Sequence, residues 1–443
     1  MRRGLAGSKK NGSAHMITRF GLAAALMLTA CSGGDEPAGT ADPATEMASD
    51  GIVQPDVVDA ALADMVADGR VAGVAALIFE DGEEVFFGAH GMADREAEKP
   101  MARDTVVQIF SMTKPVAGVA LMTLYEEGKF ALDDPITKYV PELSDMAVYS
   151  GVDEEGNLLT EPARRQPIVM DFLRHTAGFI GDANETPLGQ AYAAANPLNW
   201  EGTLADEAEA LGKLPLLYHP GEQWEYSLAV DIQALMVERL SGMAFENYIQ
   251  QTVLDPLGMT ETAYYVPEER RDRMAAMYIT EEDGSLTRQP DEQAYAFNYN
   301  KWPLRPGTFG LTSTLDDYAK FTRMLLNDGA FGDVKILEPE TVKLMRTNYL
   351  DEEITERLWL PSKGQVGFGI DFAVRTAPPV DENENYGFVG EYFWDGYAST
   401  MFWVDPENDL TAVFFVQSIP FNGEVHKLYR DAVYNVRNKG IVD

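Results

Sequence analysis

Ser111-Met112-Thr113-Lys114 places a hydroxyl and an amine three residues apart, immediately before a run with helical spacing of apolar residues from Val116 to Leu124. Residues three apart on a helix are neighbours, and in a 3₁₀ turn they eclipse. Pro115 disfavours the α conformation at Lys114, so the sequence leaves both geometries open, and in either the amine reaches the hydroxyl. A serine hydroxyl attacks a carbonyl only when an adjacent base takes its proton. Lysine serves as that base when burial or nearby cations lower its pKa from about 10.4. Ser111 near a helix N-terminus would also face free N–H groups that favour a developing oxyanion. The bland alternative is a serine cap beside a solvated lysine, and the tetrapeptide alone does not decide between them. A second element, Tyr226-Ser227-Leu228, follows His219-Pro220-Gly221-Glu222-Gln223-Trp224-Glu225. A tyrosine meeting a Ser/Lys pair can carry the proton to a leaving group; by itself it reads as a core aromatic.

Other chemistries lack their residues. No serine lies in G-x-S-x-G, the elbow of α/β-hydrolases. There is no H-E-x-x-H, the five histidines are scattered, and no G-x-x-x-x-G-K-[ST] loop occurs, so neither zinc nor phosphate binding is supported. With 35 basic against 71 acidic residues and a formal charge of −36, nucleic acid is not an expected partner. That charge keeps the chain soluble and disfavours anionic substrates at long range, or reflects a salty habitat.

The elements that position these residues are legible from spacing. Val58–Ala67, Asp231–Leu240, Asp316–Leu326 and Val425–Val436 read as helices, and Gly128 closes the helix after Lys114. Asp81-Gly82 joins Val74–Phe79 to Glu84–Gly88 as a hairpin. Near the C-terminus Val366–Val374, Ala398–Val404 and Leu410–Gln417 read as strands, with Asp405-Pro406 and Asn408-Asp409 turning between the last two. Strands at both ends and helices between imply an α/β lobe from residues 52–110 and 345–443, with an inserted all-helical lobe over 111–344. A cleft between lobes is where a ligand site is expected.

Taken in order, the motifs resemble the serine β-lactamase and penicillin-binding superfamily, and within it class C β-lactamases and family VIII carboxylesterases. The resemblance runs from about residue 52 to 438 and rests on several stretches. They are Phe110–Gly118, Tyr125-Glu126-Glu127-Gly128-Lys129, Leu132-Asp133-Asp134-Pro135, Leu173-Arg174-His175-Thr176-Ala177-Gly178, Pro220-Gly221 leading to Tyr226-Ser227, and Gly310-Leu311-Thr312-Ser313-Thr314 before Asp317-Tyr318. It implies a two-lobed fold, an antiparallel sheet flanked by the terminal helices with a helical lobe across it. It also implies Ser111 as the acylated nucleophile, Lys114 as its activator and Tyr226 as general base and acid. Backbone N–H groups of Ser111 and of the residue after the third motif would form the oxyanion hole, and no metal or organic cofactor is implied.

Two departures from the family bear on substrate. The third motif, Lys-Thr-Gly in β-lactamases, aligns with Trp394-Asp395-Gly396, followed by Tyr397; the esterases often carry Trp-Gly-Gly. The triplet lacks a cation and adds a negative charge, so a carboxylate-bearing substrate loses a charge-assisted hydrogen bond and meets repulsion if Asp395 faces it. Leu228 stands where β-lactamases usually have asparagine. Trp394, Asp395, Gly396 and Tyr397 are therefore candidate substrate-binding residues, and both departures favour small neutral esters. The alternatives are a β-lactamase or D-amino-acid peptidase acting on cell-wall material, and a binding module without turnover. His175 and His219 read as packing residues and Asp231 as a helix-starting cap. Trp224, Tyr392, Phe393 and Trp394 read equally as pocket or core.

Residues 1–30 read as an address. Five basic residues precede the eleven-residue apolar run Phe20–Ala30, shorter than the about 20 needed to span a bilayer but suited to a signal peptide. Leu28-Thr29-Ala30-Cys31 resembles a bacterial lipobox, which implies lipidation at Cys31, the sole cysteine. Translation could start at Met1 or Met16. Residues 31–51 then read as a flexible tether, and residues 52–443 as the hydrolase domain, lipid-anchored at the periplasmic face of a bacterial membrane.

Overall fold

The computed structural model describes residues 51–181 and 185–436. Cys31, the leader and most of the tether lie outside the described residues. An eight-stranded antiparallel sheet takes strands from both ends of the sequence: β1 (Gly73–Glu80), β2 (Glu83–Asp94), β3 (Lys99–Pro100), β4 (Val366–Phe368), β5 (Ala373–Arg375), β6 (Tyr392–Asp395), β7 (Met401–Asp405) and β8 (Leu410–Phe415). Its order is β4-β5-β6-β7-β8-β1-β2-β3, so strands near the two ends meet where Ala75–Glu80 pairs with Leu410–Phe415. The central strands are buried along nearly their whole length. That explains why they read as near-continuous apolar runs rather than alternating ones.

Turn chemistry matches expectation. Asp81 and Gly82 both have positive φ, 52° and 77°, as a two-residue type I′ turn requires. Between β7 and β8, the Asp405 carboxylate accepts from Glu407 N at 3.1 Å and Asn408 Nδ2 at 2.7 Å. Helix α1 (Pro55–Ala67) packs against the C-terminal helix Gly423–Val433 and against β2. Gly128 closes the helix Thr113–Glu126 with φ 70°, its N–H reaching Tyr125 O at 2.8 Å.

Two expectations are corrected. Val366–Val374 is not one strand but a tight hairpin, in which Asp371 adopts φ 58° and Gly369 N donates to Phe372 O at 2.8 Å. The apolar content of this stretch masks a turn only four residues long. The middle of the chain is also not all helix. It contains the hairpin Ala147–Val152 with Leu158–Pro162 and another joining Tyr278–Thr280 to Leu286–Arg288. The Leu158–Pro162 strand is largely solvent-facing, so it carries little apolar signal. Its turn is held instead by Asp153, whose carboxylate accepts from Glu155 N at 3.0 Å and Asn157 N at 2.8 Å.

Candidate active site

Ser111 lies in a 3₁₀ turn, Phe110–Met112, that runs directly into the helix beginning at Thr113. Both local geometries therefore occur in succession. Lys114 is helical despite Pro115, because a proline in the first turn lacks only an N–H that has no intrahelical partner there. Phe110, at the shoulder of Ser111, has φ 45°, a costly left-handed conformation for an aromatic residue. Lys114 Nζ lies 3.2 Å from Ser111 Oγ and donates to the Thr308 carbonyl at 2.8 Å.

The amine is buried, and its hydrogen-bond partners are a hydroxyl and a carbonyl rather than a carboxylate. Burial lowers its pKa to about 7, opposed by the more distant negative charges of Asp231, Asp371 and Asp395. Lys114 is thus poised as a base near neutrality, where a general base works best. Asp371, itself buried, is pushed up to about 8 by desolvation, against a 3.1 Å hydrogen bond from Gln233 Nε2 and the charge of Lys114.

Tyr226 meets the pair from the neighbouring segment. Lys114 Nζ lies 4.3 Å from the centre of its ring, and its hydroxyl accepts the Trp394 indole N–H at 3.1 Å. Burial raises the phenol well above its ordinary pKa, outweighing hydrogen bonds with Ser111 and Trp394. The phenol is accordingly held in its protonated form, next to an amine whose pKa lies near neutrality. His175 holds the segment in place: Ser227 N–H donates to its Nδ1 at 3.2 Å and its ring lies 4.8 Å from that of Tyr226. Accepting at Nδ1 requires a neutral imidazole, in accord with a pKa that burial lowers well below 6.5. His219 bonds Glu161 at 3.0 Å, away from the nucleophile. Both histidines are packing residues, as the sequence suggests.

The third motif ends strand β6. A methyl on Gly396 would stand 2.6 Å from the Ile109 carbonyl oxygen, so only glycine lets the strand pass the backbone leading into Ser111. Tyr397 follows, 53% exposed, with its ring 6.0 Å from that of Phe110. Trp394 and Trp224 are buried against Tyr226 and belong to the site wall. Tyr392 packs on Phe372, and Phe393 on Arg430, as core.

Asp395 corrects the electrostatic reading. It is not a bare negative charge: its carboxylate is paired with Lys363, 32 positions away, in a contact sheltered from solvent. Rings of Trp359, Trp394 and Phe421 surround the ammonium at 5.1, 5.3 and 4.8 Å. The repulsion expected of an unpaired Asp395 is therefore offset by Lys363. The absence of a cation from the triplet stands, because position 394 supplies an indole N–H.

Asp231 is a second correction. It sits in the first turn of the helix Ala229–Ser241 but caps nothing. Its carboxylate accepts from Thr308 N at 2.8 Å and Thr308 Oγ1 at 2.7 Å, which turns the Thr308 carbonyl towards Lys114. Thr308, Lys363 and Trp359 were not singled out from sequence. Trp359 packs 5.2 Å from Tyr226, and nothing local to its segment distinguishes it from a core aromatic.

A Ser-Lys-Tyr constellation around a buried amine, beside an antiparallel sheet that carries the third motif, defines the serine β-lactamase-like fold. The chain belongs to the beta-lactamase family, whose family model matches residues 58–434. It is 35% identical over 366 residues to an uncharacterized protein of Mycobacterium tuberculosis, covering 80% of this chain and 87% of that one. It is 30% identical over 218 residues to the esterase EstB of Burkholderia gladioli, covering 48% of this chain and 52% of that one. Among solved structures, EstCE1, a hydrolase with promiscuous acyltransferase activity, superposes with TM-score 0.71 at 24% identity, over 86% of this chain and 98% of that one. Simvastatin synthase (LovD) from Aspergillus terreus superposes with TM-score 0.73 at 22% identity, over 87% and 98%. Its sequence relatives thus include an esterase, and the two solved structures share its fold.

Proposed function

We propose that this chain is a serine hydrolase that cleaves small neutral carboxylic esters through an acyl-enzyme on Ser111. The observation that carries the reading is a buried amine 3.2 Å from the Ser111 hydroxyl with its pKa held at about 7. In acylation, Ser111 Oγ bonds to the ester carbonyl carbon and its proton passes to Lys114 Nζ. Backbone N–H groups of Ser111 and Tyr397 are the candidate oxyanion donors; losing one such donor commonly costs about 10²–10³ in rate. When the C–O bond to the alcohol breaks, the departing oxygen takes the Tyr226 proton, and the phenolate recovers one from Lys114. Water, or an acceptor alcohol, then attacks the acyl-enzyme with the proton transfers reversed.

Neutral substrates are favoured because position 394 offers Tyr226 an indole N–H in place of an ammonium. Export and lipid attachment at Cys31 are part of the same proposal, resting on the leader sequence and tested by whether the mature N-terminus is a lipidated Cys31.

The deciding experiment compares a panel of p-nitrophenyl esters with a chromogenic cephalosporin and maps the adduct of a reactive phosphonate by mass spectrometry. Ester turnover with the adduct on Ser111, lost in Ser111→Ala, is expected. Faster cephalosporin turnover than any ester would put the lactamase reading first.

A further inference from the structure

A small cavity of about 120 Å³ has Phe110, the residue before Ser111, in its wall with Trp200, Phe297 and Phe309, and Gln108, Gln293 and Asn298 as polar members. A larger cavity, about 970 Å³, is lined by residues 378–389 and the C-terminal helix, and no residue of the Phe110–Met112 turn or the Thr308–Leu311 segment lines it. The small cavity is bracketed by the two segments that build the reactive centre. Phe110 immediately precedes Ser111, and Phe309 immediately follows Thr308, whose carbonyl receives Lys114. Its aromatic walls pack on one another, Trp200 on Phe297 at 5.2 Å and Phe297 on Phe309 at 5.1 Å.

The cavity is set in a rigid frame. Asn298 Nδ2 donates to the carbonyls of Tyr264 and Gly310 at 2.8 and 2.7 Å, and its Oδ1 accepts from Gln108 Nε2 at 2.7 Å. Gly310, at φ 116°, leaves the room that Phe297 occupies, since a methyl there would stand 2.6 Å from that ring.

We propose that this cavity is the acyl-binding subsite and takes an apolar acyl group no larger than a single six-membered ring. The inference rests on the ester-hydrolase reading above and names the half of the substrate that the cavity receives. The leaving alcohol must collect its proton from Tyr226 and so departs on that side. Among the described residues, the rings against Tyr226 are those of His175, Trp224, Trp359 and Trp394, and none of them lines the cavity. That leaves the Phe110–Phe309 side for the acyl group. Size sets the limit: an apolar cavity of about 150 Å³ accommodates benzene, and this one is slightly smaller. Aromatic walls without a charged member suit a branched aliphatic or benzoyl group.

The test varies one half of the ester at a time. With p-nitrophenol as the constant leaving group, kcat/KM is expected to peak between butyrate and benzoate and to fall at least tenfold by octanoate. Trp200→Ala and Phe309→Ala, both at half-buried positions, should raise octanoate relative to butyrate at least tenfold. They should leave the relative rates of methyl, ethyl and benzyl butyrate unchanged. Phe309→Leu gives the same direction more mildly if an alanine variant does not fold. A flat acyl-length profile with intact Ser111-dependent turnover would overturn the subsite alone, as would variants that change alcohol preference instead. No turnover of any ester would overturn the functional reading and the subsite with it.

Discussion

Trp394 donates its indole N–H to the Tyr226 hydroxyl at 3.1 Å, from the first position of the third motif. A neutral donor there steadies the phenol oxygen without adding a positive charge beside Lys114. Trp394→Phe keeps an aromatic ring and removes the donor. A neutral hydrogen bond is worth about 0.5–1.5 kcal/mol, so kcat should fall up to about tenfold, with KM for a neutral ester little changed. Steady-state kinetics on one ester checks it, and a KM effect alone would mean that the indole serves substrate packing.

The basicity of Lys114 should appear in the pH profile. On the proposed mechanism the neutral amine is the active form, and burial lowers its pKa to about 7. Hence kcat/KM should be low in acid, rise about tenfold per pH unit below that value and level off above it. Lys114→Arg, which cannot deprotonate near neutrality, should lose about 10²–10⁴ of the rate. A profile flat from pH 5 to 9 would rule Lys114 out as the base.

The same burial acts on stability with a definite sign. The unfolded chain binds a proton at Lys114 below 10.5, whereas the folded chain does so only below about 7. Protonation therefore favours the unfolded state increasingly as pH drops from 10.5 to 7. Lys114→Met should raise the melting temperature at pH 7 and do so less at pH 10. Thermal denaturation at the two pH values measures the difference.

Lys363 and Asp395 should behave as a coupled pair. Breaking a buried ion pair by removing one partner costs about 3–5 kcal/mol, whereas replacing both can be nearly neutral. Lys363→Met and Asp395→Asn should each lower stability markedly, and the double variant should recover most of the loss. Additive losses in the double-mutant cycle would show that the two charges do not depend on one another.

Asp231 and Thr308 carry a positioning prediction. Asp231→Asn disturbs the carboxylate that receives both Thr308 donors and so frees the carbonyl that orients Lys114. It should lower kcat at least tenfold with KM nearly constant. Thr308→Ser, which keeps the hydroxyl, should retain most activity, and Thr308→Ala should resemble Asp231→Asn.

Much of this site was legible in the sequence because its parts are local. Ser111 and Lys114 are three residues apart, and the helix that seats them ends at a glycine whose positive φ has a simple steric cause. Tyr226 and the Trp394–Tyr397 stretch became readable through ordered motifs at the right places. What stayed hidden depends on distant partners. The charge on Asp395 changes meaning once Lys363 meets it, and Asp231 changes from a cap to a bracket once Thr308 arrives. Neither pairing leaves a periodic trace, since each joins two isolated side chains across a long stretch of sequence. The Val366–Val374 hairpin was missed for the opposite reason: its turn lies inside a run whose apolar content suits a continuous strand.

The meeting of Ala75–Glu80 with Leu410–Phe415 has a consequence for biogenesis. Strand β8 bridges β1 to β7, so the β1–β3 hairpin cannot join the β4–β7 strands, which carry the third motif, until residue 415 has been made. Sheets closed by such remote pairings fold slowly, because the loop entropy must be overcome before the contacts form. A chain emerging from the ribosome therefore carries Ser111 long before the sheet that positions the third motif can close. On the proposed mechanism, chains that end before residue 415 lack the strand that joins the two halves of the sheet and are expected to be inactive.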